Sequence, residues 1–101
     1  MMHMRVKVTD EYAIIRYNNG EDIWNAFQMI REFTPRLKHF TVSDSKKHIV
    51  IRFSSFDEKQ KFLDTVKKYD DRISSLYVDG RRIKLIKDGR LIISENTRRN
   101  A

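Results

Sequence analysis

The sequence predicts an α+β domain in which two helices cover one face of an antiparallel sheet of six or seven strands. Three observations support this fold class: short β-branched segments, two amphipathic segments with helical spacing, and a repeat of both at an offset of 36 residues. A chain of 101 residues, 40% of them hydrophobic, is long enough for one core. We therefore expect a single domain over residues 1–95 and a flexible basic tail over residues 96–101.

The first part of the chain has the pattern of a hairpin followed by a helix. Met4–Val8 and Tyr12–Tyr17 are apolar or β-branched segments on either side of a polar turn, and they predict two strands. Apolar residues then recur at helical spacing from Ile23 to Phe33. Pro35 is expected to stop this helix, because proline has no amide hydrogen and restricts the residue before it.

The next part repeats this order. His39–Ser43 and His48–Phe53 predict a second hairpin, and Ser55–Glu58 has the composition of a capping box at the start of a second helix. The apolar stripe of that helix continues to Tyr69, so we expect it to end near Asp70 or Asp71.

Three further strands follow the second helix. They are predicted at Ser75–Val78, Arg81–Ile86 and Arg90–Ser94, with Asp-Gly dipeptides between them. Asp-Gly supplies the positive φ angles that tight hairpin turns require.

The two hairpin-helix segments are related by an offset of 36 residues, which aligns Ile14–Tyr17 with Val50–Phe53 and the two helical stripes with each other. Val8 aligns with Val42 if the second hairpin turn is two residues longer. Two origins are compatible with this pattern. The chain is either a duplicated β-β-α unit or two unrelated amphipathic units with the same periodicity.

Positive charge is concentrated near the C-terminus. The whole chain carries a net charge of +7, and the segment 81–101 contributes seven Lys or Arg against two acids. Such a local excess favours a polyanionic or strongly acidic partner. We therefore predict a small nucleic-acid-binding protein, with DNA favoured over RNA, that neutralises phosphates and acts as a regulatory or accessory factor.

The predicted contacts combine this segment with the sheet face that the helices leave open. Arg16 and Arg52 are equivalent in the two repeats and point away from the apolar positions of their strands, and Arg82 and Lys84 are assigned to one face of their strand. The full set of candidate binding residues is Arg16, Arg52, Arg81, Arg82, Lys84, Lys87, Arg90, Arg98 and Arg99.

The same basic residues are also compatible with roles other than nucleic-acid binding. On exposed strands they serve as ordinary solubilising and edge-protecting residues. A protein-binding module or small inhibitor that docks on an acidic partner is the alternative function, acting through a sheet edge or through Trp24. Trp24 lies beside the apolar stripe and is interpreted as a residue at the core margin. The last strand also permits a homodimer with a continuous sheet.

The sequence predicts neither catalysis nor a cofactor. Its three histidines lack metal-ligand spacing, and its three glycines do not form a phosphate-binding loop. Paired acids such as Glu21-Asp22 and Asp57-Glu58 fall at predicted helix starts, where capping accounts for them. The absence of cysteine and of a long apolar run favours a cytoplasmic protein without a membrane partner.

The order of the elements also resembles, in architecture alone, the saddle-shaped and sheet-faced DNA-binding domains of small transcription factors. That resemblance implies a role in transcription regulation. Compact lysine-rich chains without cysteine are also typical of viral or accessory proteins.

Overall fold

Seven strands and two helices follow one another in the predicted order. The computed structural model describes residues 3–34, 40–43 and 45–94. Its elements are β1 (Met4–Val8), β2 (Tyr12–Arg16), α1 (Gly20–Phe33), β3 (Phe40–Ser43), β4 (His48–Arg52), α2 (Phe56–Lys68), β5 (Ile73–Val78), β6 (Arg81–Lys87) and β7 (Arg90–Ser94), with a short 3-10 helix at Asp70–Arg72 before β5.

The strands form one open sheet in the order β3-β4-β2-β1-β5-β6-β7, which confirms the predicted α+β class. One pair differs from the antiparallel prediction, because β1 and β5 run parallel and Met4 lies beside Ile73. The cause is the path of the chain. After α2 and the 3-10 helix, the chain re-enters the sheet at the end where β1 also begins, so β5 runs in the same direction as β1.

Both helices begin at side-chain caps that the sequence encodes. Asn19 Oδ1 accepts a hydrogen bond from the Asp22 amide at 3.0 Å, and Ser55 Oγ accepts one from the Glu58 amide at 3.3 Å. The Glu58 carboxylate accepts from the amide of Ser54 at 2.7 Å. The predicted capping box is therefore present, with its glutamate bonded one residue earlier than the usual pattern.

The repeat seen in the sequence is present in the structure. The caps Asn19 and Ser55 are 36 residues apart, and Ile14 lies opposite its repeat equivalent Val50 at the centre of the β2–β4 pair. A shift of 36 residues converts each pair on one side of this centre into the corresponding pair on the other side, for example Tyr12–Arg52 into His48–Arg16. The two β-β-α segments are therefore structurally equivalent, and they meet at an antiparallel register that is symmetric about Ile14 and Val50.

One hydrophobic core lies between the sheet and the helices. Alternate residues of β1, β2 and β4 are buried on the side of the helices, and α1 and α2 contribute their apolar stripes. At its centre the Phe62 ring meets Phe33 at 5.4 Å and Phe53 at 5.8 Å between ring centroids. Phe33 ends the helix of the first repeat, so this aromatic cluster joins the two repeats across the core.

Several boundaries differ from the prediction. The fifth strand begins at Ile73 rather than Ser75, and the sixth continues to Lys87. The first helix ends at Phe33 as predicted, with the Thr34 amide donating to the Ile30 carbonyl at 2.7 Å. The predictions about Pro35, His39 and the tail 96–101 fall outside the described residues. None of the helices in the described part of the chain has the length and hydrophobicity that membrane crossing requires.

Candidate functional site

Charge is divided between the two layers of the fold. The seven strands, as the structure describes them, contain no Asp or Glu and nine Lys or Arg: Arg5, Lys7, Arg16, Arg52, Arg81, Arg82, Lys84, Lys87 and Arg90. The acids of the described residues lie in the helices and turns. The local excess of positive charge therefore belongs to the sheet layer.

One side of the sheet faces away from the helices, and we call it the open face. The strand registers place on it the side chains of Arg5, Lys7, Tyr12, Ile14, Arg16, Thr41, Ser43, His48, Val50, Arg52, Ser75, Tyr77, Arg82, Leu85 and Ile93. Five of these residues are Lys or Arg and none is acidic. The open face also carries two tyrosines and four partly buried aliphatic side chains.

The cations lie in rows that cross the strands. Arg16 of β2 lies directly opposite Arg5 of β1 and opposite His48 of β4 on its other side. Like charges directly opposite each other destabilise a sheet. A bound anion would remove this repulsion, so the pairing of Arg5 with Arg16 favours an anionic ligand at this point.

Tyr77 is held in place on the open face by Arg82. The Arg82 Nε donates a hydrogen bond to the Tyr77 hydroxyl at 2.7 Å, and the guanidinium carbon lies 5.2 Å from the ring centroid. The two residues are also directly opposite each other in the β5–β6 pair. The ring is therefore fixed before any ligand arrives.

The predicted binding residues have different locations. Arg16, Arg52 and Arg82 are exposed and lie on the open face, while Lys87 and Arg90 are exposed opposite each other at the β6–β7 turn. Arg81 is exposed but lies opposite Val78, whose side chain is on the helix side of the sheet. Arg98 and Arg99 lie outside the described residues.

Lys84 does not lie on the open face, and the prediction that it shares one face of its strand with Arg82 is wrong. The pairing shifts between Leu76 and Tyr77, so Leu76 lies opposite Lys84 while Tyr77 lies opposite Arg82. This bulge turns Lys84 toward the helices, where its side chain is only 9% exposed. Its Nζ donates to the Asp70 carbonyl at 2.5 Å and lies 3.1 Å from the Asp70 carboxylate. Lys84 therefore anchors β6 to the 3-10 helix.

Arg5 and Lys7 belong to the site, although they are not among the binding residues predicted from the sequence. Both are exposed, and the parallel pairing places Arg5 beside Ser75 and Lys7 beside Tyr77. The alternation of β1 already put these two side chains on one face. What the sequence did not indicate is that β1 lies in the middle of the sheet, next to β2 and β5.

A second cationic residue is also structural. Lys59 of α2 is 3% exposed, and its Nζ donates to Asp10 at 2.5 Å and to the two Asp79 oxygens at 3.0 and 2.7 Å. Burial alone lowers the pKa of Lys59, but hydrogen bonds and charge attraction from the two carboxylates outweigh it and raise the pKa overall. The ammonium thus ties α2 to the β1–β2 and β5–β6 turns.

Tyr69 behaves in the same way at the other end of α2. Its hydroxyl donates to the Glu32 carboxylate of α1 at 2.7 Å. Burial, followed by the hydrogen bond to Glu32 and the negative charge of that residue, raises the pKa of the phenol.

These two shifts predict a loss of stability at high pH. A group whose pKa is raised in the folded state contributes stability below its unfolded pKa, which is about 10 for both Tyr and Lys. That contribution disappears as the pH rises through the raised value. The free energy of unfolding, measured by urea titration, should therefore fall as the pH rises above about 10. Tyr69→Phe should make the fall shallower, and an unchanged slope in this variant would contradict the assignment.

The prediction that Trp24 lies at the core margin is wrong. Its side chain is 72% exposed on α1, on the helix layer and away from the open face.

The described residues contain no group of three or more His, Asp or Glu placed to hold a metal ion.

Comparison with known proteins adds no assignment. Neither the protein-family models, nor the curated proteins, nor the solved structures contain a match to this chain. The assignment of function therefore depends on the geometry and charge of the open face.

Proposed function

We propose that this protein binds nucleic acid through the open face, chiefly by neutralising phosphates, with DNA as the first ligand to test. The observation that supports this most directly is the separation of charge between the layers. The described strands carry nine Lys or Arg and no acid, and five of these cations lie on the open face, whereas the helices carry both signs. A single-sign surface of this kind attracts polyanions and releases their counterions on binding.

The arrangement of the cations supports the same proposal. Arg5, Lys7 and Arg16 belong to two adjacent central strands, and Arg52 and Arg82 extend the positive surface outward on either side. Neighbouring strands are about 4.8 Å apart, so these side chains can reach successive phosphates of one nucleic-acid chain. The buried Lys59 and Lys84 are excluded from the ligand contacts, since their ammonium groups are bonded inside the protein.

The proposal predicts that charge on the open face matters more than total charge. A triple variant with Arg5→Gln, Lys7→Gln and Arg16→Gln should bind a labelled random-sequence DNA about tenfold or more weakly at physiological salt. The slope of log affinity against log salt should flatten by about 0.7 to 0.9 for each lost phosphate contact. Fluorescence anisotropy over a range of salt concentrations measures both quantities.

A matched control removes the same charge from the helix layer. Arg31→Gln, Lys61→Gln and Lys68→Gln change three exposed cations of α1 and α2. This variant should keep most of the affinity and the salt slope. Equal weakening of both triple variants would contradict the open face as the binding site and leave only an effect of net charge.

Absence of DNA and RNA binding by the unmodified protein, even at low salt, would overturn the proposal. The positive sheet would then be a docking surface for an acidic protein, which is the alternative that the composition already offered. Docking of this kind would also be weakened by the open-face triple variant, because the same cations would contact the partner's carboxylates.

A further inference from the structure

A groove crosses the middle of the open face. It has a volume of about 210 Å³ and lies over β2, β1 and β5. Its lining residues are Arg5, Val6, Lys7, Ile14, Arg16, Ser75 and Tyr77. Three of them are cations, so this groove lies within the most positive part of the open face.

The groove also has apolar and aromatic walls. Ile14 and Tyr77 are partly buried and flank Lys7 on its two sides, since Lys7 lies opposite Ile14 in one pair and beside Tyr77 in the other. The Tyr77 ring is held by Arg82, as described above. Phosphates gain nothing from an aliphatic or aromatic wall, whereas the face of a nucleobase stacks on one.

The shape of the open face disfavours a duplex as the partner. The major groove of DNA is about 12 Å wide and admits a helix or a two-stranded ribbon. In the described part of the chain both helices lie on the other side of the sheet, and the open face is a surface of several strands. The molecule measures 36 × 35 × 20 Å, with two long dimensions and one short one. A broad sheet enters a duplex groove only by deforming it, and an undeformed duplex presents base edges rather than base faces to Ile14 and Tyr77.

The groove continues toward one end of the sheet. Arg5 also lines a larger depression of about 550 Å³, together with His3, Asn18, Ser74, Ile86, Asp88 and Gly89. A chain that passes Arg5 would meet polar groups there, with the carboxylate of Asp88 as the one acidic group of this lining.

We propose that the ligand is a single-stranded nucleic acid, with one unstacked base in the groove against Tyr77 and Ile14 and with phosphates at Arg5, Lys7 and Arg16. This inference rests on the proposed function and adds the strand state of the ligand. Cations that follow the backbone and an aromatic surface that accepts any base are the two components of sequence-tolerant single-strand binding.

The test compares three labelled ligands of about 12 nucleotides, a length within the range that single-strand binders cover. They are oligothymidine, an abasic oligomer with the same phosphates, and a random-sequence duplex. Anisotropy at physiological salt should show oligothymidine binding about 5-fold or more tightly than the abasic oligomer. It should also bind more tightly than the duplex. Equal or tighter binding of the duplex or of the abasic oligomer would overturn the inference.

Substitutions at the groove test the stacking surface itself. Tyr77→Leu should remove most of the preference for oligothymidine over the abasic oligomer, while Tyr77→Phe keeps the ring and should retain it. Ile14→Ser changes the opposite wall and should reduce the same preference. Trp24→Leu is the matched control, because it removes an exposed aromatic ring from the helix layer. Circular dichroism of each variant establishes that it is folded, and an unchanged preference in folded Tyr77→Leu and Ile14→Ser would contradict the inference.

The outcomes separate this inference from the proposed function. Salt-dependent binding of equal strength to all three ligands would preserve a phosphate-binding protein and overturn the single-strand inference. Absence of binding to all three at low salt would overturn both. Binding of oligothymidine in preference to the other two supports both.

Discussion

Replacing Asp10 and Asp79 together with asparagine should lower the free energy of unfolding by about 3 kcal/mol or more, although both side chains are at the surface. The two carboxylates are 78% and 51% exposed, yet they are the charged partners of the Lys59 ammonium, which is 3% exposed. Removing both leaves a positive charge buried beside α2 without a counter-charge. A buried charge without a partner is among the most costly defects in a folded protein.

Replacing the lysine instead of the two aspartates should lower the free energy of unfolding much less. Lys59→Met retains an apolar side chain of similar length in the buried site and leaves two carboxylates that water already solvates. We expect a loss of about 1 kcal/mol or less, because exposed charges gain little from pairing. The measurement is urea unfolding at neutral pH for both variants.

A control at the surface gives the loss of stability expected when an exposed ion pair is removed. Asp64→Asn removes a carboxylate that is 69% exposed and 3.9 Å from Lys67, and it should cost no more than about 0.5 kcal/mol. Equal losses in the Asp10/Asp79 variant and in Lys59→Met would mean that the ammonium is solvated, which would contradict the buried cluster.

Phe62→Ala should be the most damaging single substitution, with a loss of about 3 to 5 kcal/mol. Phe62 is fully buried and contacts Phe33 and Phe53, so its removal opens a cavity where the two repeats meet. Domains of this size are stable by about 5 to 15 kcal/mol, and the melting temperature should fall by about 15 °C or more. Thermal unfolding followed by circular dichroism gives this value directly.

The same helix supplies a matched control. Phe56 lies six residues earlier and is 63% exposed, with the Lys59 ammonium 5.7 Å from its ring centroid. Phe56→Ala should cost no more than about 1 kcal/mol, since little apolar surface leaves the core. A similar loss at both positions would be inconsistent with a core centred on Phe62.

These stability variants do not change the open face, so they separate folding from binding. Lys59→Met and Phe56→Ala should bind nucleic acid as the unmodified protein does, because Lys59 and Phe56 lie on α2. Lys59→Met is the more informative of the two, since it removes one positive charge. Unchanged binding in that variant would show that location, rather than the number of cations, determines affinity.

Sequence periodicity was sufficient to predict the elements and most of the layers. Alternation in β1, β2 and β4 identified the buried and open sides of these strands, and the capping box at Ser55–Glu58 defined the start of the second helix. These features depend on neighbouring residues, so local pattern predicts them. The offset of 36 residues was visible in the sequence, but the symmetric pairing of β2 with β4 was not predicted from it.

The composition of the site depended on contacts that local pattern does not contain. The bulge opposite β5 turned Lys84 into the protein, and pairing between distant strands brought Arg5, Lys7 and Tyr77 together. Two acids from separate turns converged on Lys59. The sequence by itself therefore determined the fold class, the cap of the second helix and the positive charge of the strands. Only the tertiary structure decided that Lys59 and Lys84 are held inside and which strands bring their cations together, because this depends on strand register and on ion pairs between residues far apart in the chain.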